Sequence, residues 1–219
     1  MRLHQNADGG VTVSAREYDI AKNTKIYEGQ VVTISAGLVT AQGVSATGAI
    51  LGVAAETHTG TPDPFDARND GTRLKVYDAP HQIFRCPAPV VTATGGTATT
   101  IVAKLAGAAD AYNGGWLKLV KKAEGSTNPD AVGTMYRITD FATDSGTGTF
   151  TKESGSVPFA GDEYALFMPV GFEGGNLSAD GTKIVVTATA SIPLRVVGRI
   201  EETNEICVIP AKHVLGKKS

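Results

Sequence analysis

Apolar and polar residues alternate with a period of two along much of this chain, and clusters of turn-forming residues separate the alternating stretches. The clearest run places Ile184, Val186, Ala188, Ala190, Ile192, Leu194 and Val196 on one side of an extended backbone. Thr187, Thr189, Ser191, Arg195 and Arg199 fall on the other. Side chains of a strand point alternately to opposite faces, so this pattern predicts half-buried strand, bent or placed at an edge by Pro193. Residues 201–204 form a turn signal, and 205–209 return as the second strand of a hairpin. Leu74 and Val76 share one face of an earlier strand, with Arg73, Lys75 and Tyr77 on the other. Residues 30–34 predict a strand, Ser35-Ala36-Gly37 a tight turn, and Leu38-Val39-Thr40 the return. Residues 49–55 are almost continuously apolar and predict a strand buried on both faces.

Two of these strands open alike. Asp70-Gly71-Thr72-Arg73-Leu74-Lys75-Val76 is echoed by Asp180-Gly181-Thr182-Lys183-Ile184-Val185-Val186, and each is followed by a second strand-like run, at 83–86 and 194–200. Between the copies lies a segment with its own strands, at 116–120, around Tyr136 and Ile138, at Phe150, and through Tyr164, Leu166 and Met168. Turn clusters at 125–129, 144–148 and 154–161 separate them. The expected fold is all-β: a discontinuous β-domain, β-tulip or barrel-like, from residues 25–90 plus 175–219, with a small β-module inserted at 105–170. Residues 1–24 are polar, with only Val11–Val13 strand-like, and predict an N-terminal arm that is mobile alone. Residues 90–100, rich in Thr, Gly and Ala, read as a crossing linker or edge strand. Ile101, Leu105 and the nearby alanines allow one short helix, weakened by Gly107.

Composition agrees with turns and strands, since 26 glycines serve turns and no stretch concentrates helix-favouring residues. Net charge is −2 with no basic block beyond Lys217-Lys218, so a nucleic-acid partner is not expected. The apolar run at 49–55 is far too short to span a bilayer, and the first residues lack an apolar signal core. No membrane partner is expected, and synthesis is expected in the cytoplasm.

Little here resembles catalytic machinery. His4, His58, His81 and His213 are scattered and share no metal-ligand spacing. Asp63, Asp66, Asn69 and Asp70 cluster in a polar loop without the spacing a calcium loop requires. The glycine pairs lack phosphate-cradling context. Neither catalytic residues, nor metal, nor cofactor are expected. Cys86 and Cys207 each sit in a strand-like run and leave two readings open, buried thiols or a disulfide joining the two halves of one domain. Trp116 follows Gly114-Gly115 and reads as a core anchor or as a platform for a sugar.

Three stretches, Ala21-Lys22-Asn23, Glu28-Gly29-Gln30-Val31-Val32 and Leu51-Gly52-Val53-Ala54, resemble the capsid-decoration (cement) proteins of tailed bacteriophages. The ending, from Leu194 to Val197 through Val208-Ile209-Pro210 to His213-Val214-Leu215-Gly216, looks like the closing hairpin of such virion proteins. The inserted segment is similar to a small β-module of phage structural proteins through three motifs: Asp110-Ala111-Tyr112-Asn113-Gly114, Arg137-Ile138-Thr139-Asp140 and Pro158-Phe159-Ala160-Gly161-Asp162-Glu163-Tyr164. The resemblance implies a virion structural protein that binds the outer capsid surface and stabilises the head. It also implies the major capsid protein as partner, a homo-oligomer (a trimer) and a place on the capsid surface. Strand addition by the arm would make Val11, Val13, Tyr18, Ile20, Ile26 and Tyr27 the partner-binding residues. The alternative is a phage fibre or adhesin-type glycan-binding β-module, for which Trp116, Tyr112 and Tyr136 are the available rings.

Overall fold

The computed structural model describes residues 1–6, 15–21, 23–43, 48–59, 69–105, 107–144, 146–186 and 194–214, and among them there are strands and no helix. The first part of the chain supplies β1 (Arg2–Asn6), β2 (Ala15–Ala21), β3 (Lys25–Ile26), β4 (Val31–Ser35), β5 (Leu38–Ala41), β6 (Gly52–Ala54), β7 (His58–Thr59) and β8 (Asn69–Tyr77). Five of these close into a barrel in the order β2-β5-β4-β6-β8. Period-two alternation fills it with Ile20, Val32, Val39, Leu51, Leu74 and Val76, joined by Ile26 and Ala54. The outer face of β2 and β8 sets Glu17 opposite Lys75 and Asp19 opposite Arg73, a solvated lattice of both signs. At Gly52 a Cβ would lie 2.0 Å from the Tyr77 carbonyl oxygen, so the approach of β6 to β8 requires glycine.

Next comes β9 (Gln82–Pro87), followed by β10 (Val90–Thr97), β11 (Thr100–Lys104), β12 (Trp116–Lys121), β13 (Met135–Asp144), β14 (Thr147–Lys152) and β15 (Glu163–Phe167). The last six close a second barrel in the order β10-β11-β14-β13-β12-β15. Its interior pairs large rings with small neighbours. A Cβ on Gly148 would fall 2.6 Å from the Phe141 ring, so glycine there makes room for the aromatic. Tyr112 lies edge-on to Phe141 at 4.7 Å and stacks on Phe172 at 5.3 Å.

The remaining strands are β16 (Asn176–Leu177), β17 (Ile184–Val185), β18 (Leu194–Ile200) and β19 (Glu205–Pro210). A four-stranded sheet runs β1-β9-β19-β18, so strands from both ends of the chain meet on β9. One face of this sheet, with Phe84, Cys86, Leu194, Val196, Ile206 and Val208, shares a single core with the second barrel. Val31, Ile50 and Val53, which lie outside the first barrel's interior cluster, join that core too. The run at 49–55 is therefore buried on both sides.

Several expectations need correction. Residues 1–24 are not a free arm over their described length, because β1 pairs with β9 and β2 pairs with β8 and β5. Polarity misleads here: an outer strand of a barrel exposes half its side chains. Residues 90–104 are a barrel hairpin: 90–97 is a strand as one reading allowed, though inside a closed barrel and not at an edge, and 101–104 is strand, not helix, so the middle module begins at Val90 and not near residue 105. Of the long period-two run, Ile184, Val186, Leu194 and Val196 are buried, while Ala188, Ala190 and Ile192 lie outside the described residues.

Register settles the cysteine question. Cys86 stands opposite Ile206 on β19, and Cys207 stands opposite Arg85. Cross-strand partners share a face and sequence neighbours do not, so the two thiols point to opposite faces and cannot bond. Both are free and buried. Burial pushes the Cys86 thiol up to about 12, leaving it unreactive at neutral pH. Under non-reducing conditions the unfolded chain should therefore titrate with two thiols while the native protein reacts slowly, as a thiol-reagent time course would read.

The β4–β5 hairpin closes through Ala36 and Gly37, both left-handed at φ 52° and 85°, which is the type I′ arrangement. Alanine is strained there. Ala36→Asn should raise stability by about 0.5–1 kcal/mol in denaturant unfolding, and a loss would contradict the turn assignment.

Candidate interaction surface

The six residues expected to meet a partner scatter when placed in the fold. Val11 and Val13 lie outside the described residues. Ile20 and Ile26 are fully buried in the first barrel, because strand alternation turns them inward, and they are corrected to core residues. Tyr18 is half-buried, and its phenol donates to the Asp78 carboxylate, which also lies 3.6 Å from Arg16. Burial and then this bond raise the Tyr18 phenol to about 12. Tyr18 packs against the first barrel's core and is tied to Asp78, not presented to a partner.

Tyr27 is 45% exposed. The Lys25 ammonium sits 4.9 Å from its ring centroid, its amide donates to Gln30 Oε1 at 3.0 Å, and the next amide donates to Thr57 Oγ1 at 3.0 Å. A ring held on a pinned turn and open to solvent is suited to contact.

A second constellation escaped the sequence reading. On β14 the inward positions are Gly148, Phe150 and Lys152, so alternation drives an ammonium into the end of the second barrel. Lys152 is 2% exposed. Its Nζ donates to the Ala98 carbonyl at 2.6 Å and the Ser156 carbonyl at 3.1 Å, and it lies 4.8 Å from the Tyr136 ring centroid. The Tyr136 phenol donates to Asp130, which also accepts from Ser156 Oγ at 2.9 Å and Ser156 N at 3.2 Å. Beside it, Asp162 accepts from the amides of Ala123 (3.0 Å) and Phe159 (3.1 Å) and from Asn128 Nδ2 (3.0 Å). The Tyr136 bond chiefly holds the Asp130 carboxyl below its ordinary range. Burial opposes ionisation of Asp162, but its hydrogen bonds together bring it below that range as well. Burial chiefly raises Tyr136 and Tyr164. Perturbed groups of this kind mark either a reactive site or a structural network. Each carboxylate here is engaged by several donors, which fits a plug for the barrel end.

The plug has a consequence at the surface. Asp130 ties the 128–134 loop to the 153–157 loop, and each carries an exposed valine, Val132 at 58% and Val157 at 56%. These two apolar side chains sit on loops that cannot move apart without breaking the Asp130 bonds.

The other candidate groups do not converge. Among the described residues no three His, Cys, Asp or Glu side chains are placed to share a metal ion. The Asp63 and Asp66 positions lie outside the described residues. His213 is buried against the first barrel, its Ile50 bridge fixing the segment, and burial lowers its pKa. Trp116 is half-buried, with the Arg199 guanidinium 5.0 Å from its ring centroid, and Lys118 beside it donates to the Glu201 carbonyl at 2.5 Å. Together they seat the β18–β19 hairpin on the second barrel. Tyr112 and Tyr136 are buried and not presented to a sugar.

No protein-family model, curated protein or solved structure matches the chain.

Asp162→Ala strips a buried carboxylate from the part-buried amides of Ala123 and Phe159 and from buried Asn128, and should cost about 3 kcal/mol in unfolding free energy. Lys121→Ala, which removes an exposed pair with Glu163, should change it by under about 1 kcal/mol. Equal effects would show that the plug is not structural. The depressed carboxyls of Asp130, Asp162 and Asp180, the last at about 2, set the sign of the acid response. A folded-state pKa below the unfolded one gives stability that is present above the unfolded value and lost as pH falls through the folded one. Stability should therefore fall below about pH 4, and Asp130→Asn should flatten that slope.

Proposed function

We propose that the chain is a virion structural protein that binds the outer surface of an assembled capsid and reinforces it. The observation carrying this reading is the pair of exposed valines, Val132 and Val157, on loops locked to the end of a closed barrel. The motif resemblance to phage decoration proteins supplies the partner, the major capsid protein, and the trimeric state. A contact surface that is already ordered loses little conformational entropy on binding, so modest apolar area suffices. Linked protomers that each bridge capsid subunits gain avidity through effective concentration, which raises head stability without chemistry.

The route differs from strand donation by an N-terminal arm. β1 and β2 belong to the sheet and the first barrel, so removing residues 1–20 would dismantle both. Contact through rigid loops takes its place. The glycan-binding alternative gains no support, because two of the three rings it needs are core residues and the third faces Arg199.

Purified protein should add to preformed empty capsids to a stoichiometric plateau and raise their melting temperature. The double variant Val132→Asp, Val157→Asp should lose about tenfold or more in capsid affinity with its own unfolding unchanged. Saturated capsids that melt as bare ones do would remove reinforcement as the function.

A further inference from the structure

The seam between β10 and β11 is paired at one end only. β10 pairs with β11 from Ala93 to Thr97, but from Val90 to Thr92 its registered partner is β15 alone. β11 ends at Lys104, opposite Thr147 on β14, and its register with β10 stops at Ala103. The two strands therefore part, and the ribbon of β16 and β17 crosses beside the gap without filling it. A groove of about 130 Å³ remains. Val91, Leu105, Ile184 and Val186 form its floor, each of them buried. Val90, 55% exposed, and the exposed Lys104 stand at its rim. Lys104 is the one charged residue among the described residues that line it.

Size and charge define what fits. Drug-sized ligands occupy clefts of roughly 300–1,000 Å³, so this groove suits a single aliphatic side chain and is too small for a cofactor or a long acyl chain. Covering Val90 and the apolar floor favours such a side chain. The ammonium at the rim favours an anion held close to it. Residues two apart share one face of an extended segment, which is how a peptide presents an aliphatic and an acidic group together.

We propose that this groove is a docking site for an extended segment of a partner protein, which inserts an aliphatic side chain between β10 and β11 and sets a carboxylate two residues away against Lys104. β11 runs from Thr100, opposite Thr151, to Lys104, opposite Thr147. The groove thus lies at the other end of β14 from Lys152 and from the plug that ties the valine-bearing loops. It is distinct from the proposed capsid contact, and its test needs no capsid.

The test is a methyl-resolved NMR titration of the labelled protein at low ionic strength, following Val90, Leu105 and Ile184. The probe is a blocked tripeptide of leucine, alanine and glutamate. Saturable shifts are expected, with the millimolar affinity that so small a contact gives. Lys104→Gln, or glutamine in place of the probe's glutamate, should each weaken binding about threefold, and the two changes together should weaken it no further than either alone. Val90→Asp should weaken it about tenfold or more. Both substituted side chains are exposed, so both variants should keep the fold. No saturable shift by about 20 mM probe would overturn the site, as would equal binding of a probe with serine in place of leucine. Equal binding of the glutamate and glutamine probes would overturn the role of Lys104. Tighter binding of hexanoate would overturn the protein partner in favour of a free aliphatic acid. The same shifts on raising protein concentration alone would overturn it in favour of a second copy.

Discussion

β9 is the strand on which the rest of the molecule depends. It follows the first barrel and leads into the second, and it accepts β1 on one edge and β19 on the other. The second barrel is thus inserted between two strands that must pair with each other. Bringing β19 back to β9 costs loop-closure entropy, although that cost grows only slowly with the length enclosed. Burial of Phe84, Cys86, Ile206 and Val208 on one face of the resulting sheet offsets it, at roughly 25 cal/mol per Å² of apolar surface. Because the same face contributes to the core of the second barrel, sheet and barrel cannot separate without exposing both.

How much of this was visible in the sequence depends on where each strand's partners lie. Strands with one solvent face announced themselves by alternation, as at Leu74 and Val76, and the Ala36-Gly37 hairpin by its turn residues. The all-β class followed from these. Residues 90–104 were left between linker, edge strand and helix because the interior of a narrow barrel takes small side chains, and Ala93 and Ala103 fill it without a strong apolar signal. β1 and β2 were obscure for a different reason: their pairing partners are remote, and nothing local in Arg2–Asn6 requires a strand. Lys152 was overlooked although its signal was present, since Gly148, Phe150 and Lys152 follow the inward period on β14. Alternation identifies a buried position, but it gives no sign of which distant carbonyls will accept from the ammonium placed there.

The two barrels meet the cost of buried charge in the same manner. In the first, Asp78 is 3% exposed and is held by Tyr18 and Arg16. In the second, Lys152, Asp130 and Asp162 are each tied to backbone groups of neighbouring loops. A buried ion contributes little net stability once its desolvation is counted, but removing a single partner leaves an uncompensated group and is costly. Such networks therefore fix geometry more than they add stability. Here the geometry fixed is that of loops, which barrel closure alone leaves free.

That distinction bears on how such a molecule can bind anything. Closing a sheet removes its edges, and both barrels are closed. The four-stranded sheet retains β1 and β18 as edges, and β18 is partly covered, since Gly171 N donates to the Val196 carbonyl at 2.8 Å and Val196 N to the Phe172 carbonyl at 3.0 Å. Within this sheet, among the described residues, strand addition by an extended partner is left chiefly to the outer edge of β1. Loops can also bind, and do so at lower entropic cost when they are already ordered. The plug around Asp130 and Asp162 holds such loops in place at one end of the second barrel. A polar network at the end of the barrel thus fixes the loops that present Val132 and Val157 at the surface.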